Sequence, residues 1–242
     1  DSNALNMLGV AFFKKGNIKS SISFYLKAIK LNPQNDKIYN NLAIAYSKAG
    51  NLEAALSIYL NALKIDSKNF STLFNLGRIY QQKGDLQKAL DTFEKILNLK
   101  NVNSLDMVFN EIGITLQKKE DFHSAIKAYL KAIKVNKNSI QSYNNLGYAQ
   151  FEMEDFDAAA SSFLKAIKLN PKNSIARKNL SKIYLLKGNY KEGLENYEYR
   201  HENSSIRILP HASPKIPIWS GEESERPAKL LIVSEQGLGD TL

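Results

Sequence analysis

Eight asparagines stand where a helix gains little from them: Asn6, Asn40, Asn41, Asn75, Asn110, Asn144, Asn145 and Asn179. The asparagine side chain competes for backbone hydrogen bonds and is a mediocre helix former, so so many copies inside apolar-periodic segments need a reason. An amide offers donors and an acceptor together. A row of them can bond from one helix to the next, or it can bind the backbone of an extended peptide with little regard for its side chains. A second chemistry is placed near the end of the chain. There the apolar run Lys229-Leu-Leu-Ile-Val-Ser234 is followed by Gln236-Gly237-Leu-Gly239-Asp240. A strand, a glycine turn and an acid opening a helix would set backbone amides where a diphosphate could dock. A lone Gly-x-Gly is weak evidence of that.

The elements that must position the asparagines repeat. Copies open at Ser2, Asp36 and Phe70, which lie 34 residues apart, and each carries a Leu-Gly or Leu-Ala pair, then an aromatic, a small residue and a second aromatic. Leu42, Ala43, Tyr46, Ala55, Tyr59 and Ala62 show the pattern. The copies run over 2–35, 36–69, 70–103, 106–139, 140–173 and 174–201. Within each, apolar residues fall at helical spacing in two blocks. The blocks are separated by Gly16-Asn17, Gly50-Asn51, Gly84-Asp85 and Gly188-Asn189 in four copies. Glycine can end one helix in the left-handed conformation and Asn or Asp can cap the next, so each copy is predicted to be a helical hairpin. Gly9, Ala43, Gly77, Gly113 and Gly147 let the second helix approach the first, with Tyr59 or Phe93 filling the adjoining space. One hairpin cannot bury such residues alone, so neighbours must stack.

Composition narrows the rest. The chain has no cysteine, which excludes disulfides, thiolate metal sites and cysteine nucleophiles. No apolar run approaches a membrane span, and the first residues lack a secretory signal, so the expectation is a cytoplasmic protein that does not enter membranes. The chain does not begin with methionine, and both ends look cut, which leaves a lost targeting segment open. The formal charge is +9. From Ser204 to Leu242 four basic residues face five acidic ones, so the basic excess belongs to the repeats.

Lys27, Lys30, Lys64, Lys131, Lys134, Lys165 and Lys168 fall in the last turns of the second helices, where they complement the helix dipole and solvate the surface. Nucleic acid is not an expected partner, because the aromatics fall at core positions and do not interleave with these charges. His123, His201 and His211 lack partners at metal spacing, and no nucleophile–base pair stands in the repeats. No cofactor or metal is expected, and the repeats are read as a binding module with no catalytic residue.

After His201 the composition changes. Pro210, Pro214, Pro217 and Pro227 interrupt any helix, and 202–228 reads as a Pro-rich linker. Residues 229–242 read as the first strand and turn of a truncated α/β domain, expected to pack on the last repeat with Trp219 as an anchor or to swap onto another copy of the chain.

The period and the Leu-Gly, aromatic and small-residue positions resemble the tetratricopeptide repeat family over Ser2 to about Arg200. That resemblance implies an all-α, right-handed superhelix of six hairpins whose first helices line a concave face. It makes the asparagines a peptide-binding surface similar to the asparagine ladder of O-GlcNAc transferases, interrupted here by Met7 and Glu111. The carboxylate clamp of chaperone adaptors is a poor fit. Its Lys and Arg positions are occupied by Met107 and Glu111, and an acid there would repel the ligand. The junction Gly188-Asn-Tyr-Lys-Glu-Gly193, Tyr197-Glu-Tyr-Arg200, Pro217-Ile-Trp219 and Glu235–Asp240 resembles bacterial repeat proteins fused to a heptosyltransferase-like glycosyltransferase. By that resemblance Gly237, Gly239 and Asp240 would lie near the active centre of the parent, with Asp240 a base or acceptor contact. Three roles follow: a scaffold for an extended peptide or partner protein, a substrate-recruiting arm of a nucleotide-sugar-dependent transferase, or a self-associating adaptor.

Overall fold

The computed structural model describes residues 1–100 and 102–199. The predictions for 202–228 and 229–242, including Trp219, Gly237, Gly239 and Asp240, lie outside the described residues. Among the described residues twelve helices follow one another: α1 (Ser2–Lys14), α2 (Ile18–Leu31), α3 (Asp36–Lys48), α4 (Leu52–Ile65), α5 (Phe70–Lys83), α6 (Leu86–Leu97), α7 (Leu105–Lys118), α8 (Phe122–Val135), α9 (Ile140–Glu152), α10 (Phe156–Leu169), α11 (Ser174–Leu186) and α12 (Tyr190–Glu198). They pair as six hairpins, with no strand among the described residues. No helix among them is long and apolar enough to cross a membrane.

The turn chemistry explains each hairpin. Gly50 sits at φ +82, in the left-handed region that only glycine enters without steric cost, and Asn51 N–H closes back on Tyr46 O at 3.0 Å. The Asn51 side chain then accepts from Ala54 N–H at 3.0 Å and caps α4. Asn17, Asp121 and Asp155 cap in the same way. Asp85 and Asn189 do not; Asp85 instead accepts from Lys88 Nζ at 3.3 Å. In the fourth and fifth hairpins Glu120 and Glu154 hold the glycine position at φ 62 and 60, a conformation disfavoured for residues with a Cβ.

Inside each hairpin the Leu-Gly glycine lies against the second aromatic. A Cβ built on Gly77 would come within 2.5 Å of the Phe93 ring, and one on Gly147 within 2.8 Å of Phe163. Tyr25, Tyr59, Phe93, Tyr129 and Phe163 are 0–2% exposed, each a burial of roughly 2–3 kcal/mol. Stacking completes the core. Leu8, in the first hairpin, is 45% exposed, whereas its counterparts Leu42, Leu76, Leu146 and Leu180 are 1–4% exposed beneath the preceding hairpin.

Among the described residues, the backbone of each odd-numbered helix comes close to the next odd-numbered helix as well as to its even-numbered neighbours, whereas no two even-numbered helices approach as closely. The odd layer is therefore the tighter one. An array so packed curves towards its odd helices, which line the concave side.

Candidate functional site: the amide rows of the odd-helix face

Residues at i, i+4, i+7 and i+11 share one stripe of a helix. On α3 that stripe is Lys37, Asn41, Ile44 and Lys48; on α5, Ser71, Asn75, Arg78 and Gln82; on α9, Gln141, Asn145, Tyr148 and Glu152. The asparagine thus sits mid-stripe, beside the odd helix that comes before it.

The eight predicted asparagines are brought together in one layer, and most of them pair. Asn41 Nδ2 donates to Asn6 Oδ1 at 3.0 Å, Asn75 Nδ2 to Asn40 Oδ1 at 3.2 Å, and Asn145 Nδ2 to Asn110 Oδ1 at 3.0 Å. Each bond joins one odd helix to the next. Asn110, 5% exposed, also accepts from Ser142 Oγ at 3.4 Å. Asn144 accepts at 3.3 Å from Asn173, which caps α11 and was not among the predicted residues. Asn179 makes no side-chain hydrogen bond to another described residue. The inter-helix tie is the reason the geometry shows, and an amide fixed by its neighbour is also held in a defined orientation. Asn41, Asn75 and Asn145 are half-buried, and each uses one N–H in its rung, which leaves an acceptor oxygen and a second N–H.

Between α5 and α7 the row is interrupted. The positions that hold Asn40 and Asn75 at the preceding junction hold Phe74 and Glu111 here. Phe74 is 8% exposed, packs face to face with Phe70 at 5.7 Å and meets the edge of Phe93 at 6.0 Å. The Glu111 side chain is 12% exposed, with Arg78 Nε at 3.8 Å. Burial raises its carboxyl above the usual range, and Arg78 partly offsets this. In place of a rung, Gln81 Nε2 crosses from α5 to Glu111 O at 3.0 Å and Thr115 Oγ1 at 2.7 Å. The sequence marked Glu111 as a break; it gave no sign of Gln81 as the substitute tie, because glutamine there reads as an ordinary helix residue. A hollow of about 50 Å³ beside Phe74, Met107 and Glu111 has room for little more than water.

Among the described residues no group of three His, Asp or Glu could hold a metal ion. The predicted phosphate loop, Gly237, Gly239 and Asp240, falls outside them.

Sequence descriptions of the tetratricopeptide repeat match residues 34–101, 140–173 and 162–195, and those of the TPR repeat match 9–50 and 115–154. The matched stretches together cover more than half of the chain, which belongs to the tetratricopeptide repeat family. Solved structures share the fold. PilF of Pseudomonas aeruginosa aligns with a TM-score of 0.73 at 16% identity, over 87% of this chain and 93% of that one. A tetratricopeptide repeat protein from Parabacteroides merdae aligns at 0.70 and 21%, over 85% and 80%. YrrB, described as a TPR protein with an unusual peptide-binding site, aligns at 0.55 and 27%, over 76% and 94%. No curated protein matches the chain.

Proposed function

We propose that this protein is an interaction scaffold, not an enzyme, and that its odd-helix face binds an extended peptide or an extended segment of a partner protein. The observation that carries this is the inter-helix amide row. Asn41, Asn75 and Asn145 are each oriented by a bond to the neighbouring repeat and each keeps an acceptor and a donor, the pair of groups that a peptide backbone complements. The likeness to YrrB, a repeat protein with a peptide-binding site, agrees with this reading. Each backbone bond nets roughly 0.5–1.5 kcal/mol, so several together support a moderate affinity. Replacing Asn75 and Asn145 together by alanine is expected to weaken peptide binding in titration calorimetry while circular dichroism stays helical. An unchanged affinity would contradict the proposal.

A second reading makes the same face the recruiting arm of a glycosyltransferase. It rests on sequence resemblance alone: the junction motifs from Gly188 to Trp219 and the run Lys229–Ser234 with Gly237, Gly239 and Asp240. A native reading frame that continues past Leu242 into a few hundred residues of alternating strand and helix would favour it.

A further inference from the structure

The groove carries a charge pattern that the amides do not explain. On the odd-helix stripes the exposed basic side chains are Lys14, Lys37, Lys48, Arg78, Lys118 and Lys182, against two acids, Glu111 and Glu152. Glu111 is largely buried, and Arg78 stands beside it. Asp36 and Asp106, at the N-terminal edge of the face, accept from Asn69 and Asn136. Lys118 leans across the odd layer, donating to Gln81 O at 3.4 Å. The surplus is uneven. Five of the six cations lie on α1, α3, α5 and α7, whereas three of the five exposed apolar side chains of these stripes lie on α9 and α11: Tyr148 at 40%, Ile175 at 63% and Leu186 at 64%. Met7 on α1 and Met107 on α7, at 49%, are the exceptions.

We infer that the ligand of this face is an extended polypeptide segment with an acidic stretch seated over α1–α7 and apolar side chains seated over α9–α11. The inference rests on the peptide-binding reading above and adds its specificity. Amides hold the backbone without choosing a sequence; the basic end and the apolar end choose it. A nucleic acid fits less well. Its bases need stacking faces, and Tyr148 is the one exposed aromatic on these stripes, at the end poorer in cations.

Fluorescence anisotropy with labelled probes tests this. One peptide of about 15 residues places glutamates in its first half and leucine and phenylalanine in its second; another replaces every glutamate by lysine; a third probe is single-stranded DNA of similar length, all read at about 50 and 300 mM salt. The acidic peptide is expected to bind at least about tenfold tighter than the lysine peptide at low salt, with the margin shrinking at high salt. Lys48→Glu with Lys118→Glu should erase the margin. Lys64→Glu with Lys134→Glu should leave it intact; these lysines also sit in last helical turns, so any helix-dipole effect is matched while the charge lies on even helices. Equal binding of both peptides, lost in the Asn75→Ala, Asn145→Ala protein, would overturn the charge inference and leave the peptide reading standing. Binding of neither peptide would overturn both. DNA binding tighter than the acidic peptide, lost with Lys48→Glu and Lys118→Glu, would give the basic end to nucleic acid and overturn the inference.

Discussion

The α3–α5 junction and the α5–α7 junction use the same two helix positions and solve them differently. At the first, Asn75 donates to Asn40 and both amides stay at the surface of the groove. At the second, Phe74 drops into the core beside Phe70 and Phe93, and Glu111 is left with Arg78 while Gln81, two turns further along α5, ties the helices. Stacking therefore needs one tie across each junction but does not need it to be asparagine. What the asparagine junctions have and the other lacks is a half-buried amide, Asn41, Asn75 or Asn145, held by the amide of the preceding odd helix, which is why the amides, and not the repeat signature, carry the functional reading.

Substitutions can break that contrast. Phe74→Ala should cost about 3–5 kcal/mol in denaturant unfolding, because it empties a buried aromatic site, whereas Asn40→Ala at the equivalent place should cost about 1 kcal/mol. Similar losses would mean that the two junctions are built alike after all. Asn110→Ala, at the α7–α9 junction, should cost about 1–3 kcal/mol, since it leaves the Asn145 and Ser142 donors without their acceptor.

The hairpin turns give a smaller, opposite effect. Glu120→Gly and Glu154→Gly should each stabilise by about 1 kcal/mol, read as a rise in Tm, because they place glycine where four other hairpins already have it. Glu111→Gln should shift stability least and in a pH-dependent way. Burial raises the Glu111 carboxyl, so over the range between its ordinary and raised pKa the folded chain holds a proton that the unfolded chain has lost, and stability falls as pH climbs. The glutamine protein should therefore be the more stable of the two at pH 7, with the gap closing towards pH 4. A gap that widens in acid would show that the attraction to Arg78 outweighs burial.

Much of this was legible from residue spacing. The 34-residue offset of Leu42 from Leu76 and of Tyr59 from Phe93 dictates hairpins that stack, and Gly77 against Phe93 is the contact such spacing requires. The asparagines were legible as unusual but not as partners. A rung links a residue to one 35 positions away, one step beyond the repeat, so it depends on how far successive helices are offset, which composition does not encode. Asn173, Gln81 and Thr115 were missed for the same reason: each has an ordinary local role as cap or helix residue, and its long-range bond exists only once hairpins stack.

The most direct measurement follows the side-chain amide protons of Asn41, Asn75 and Asn145 by NMR as the acidic–apolar peptide is added. Saturable shifts at these three amides, with the even-helix lysines undisturbed, are the predicted result. Shifts confined to even helices, with the three amides unmoved, would contradict the account.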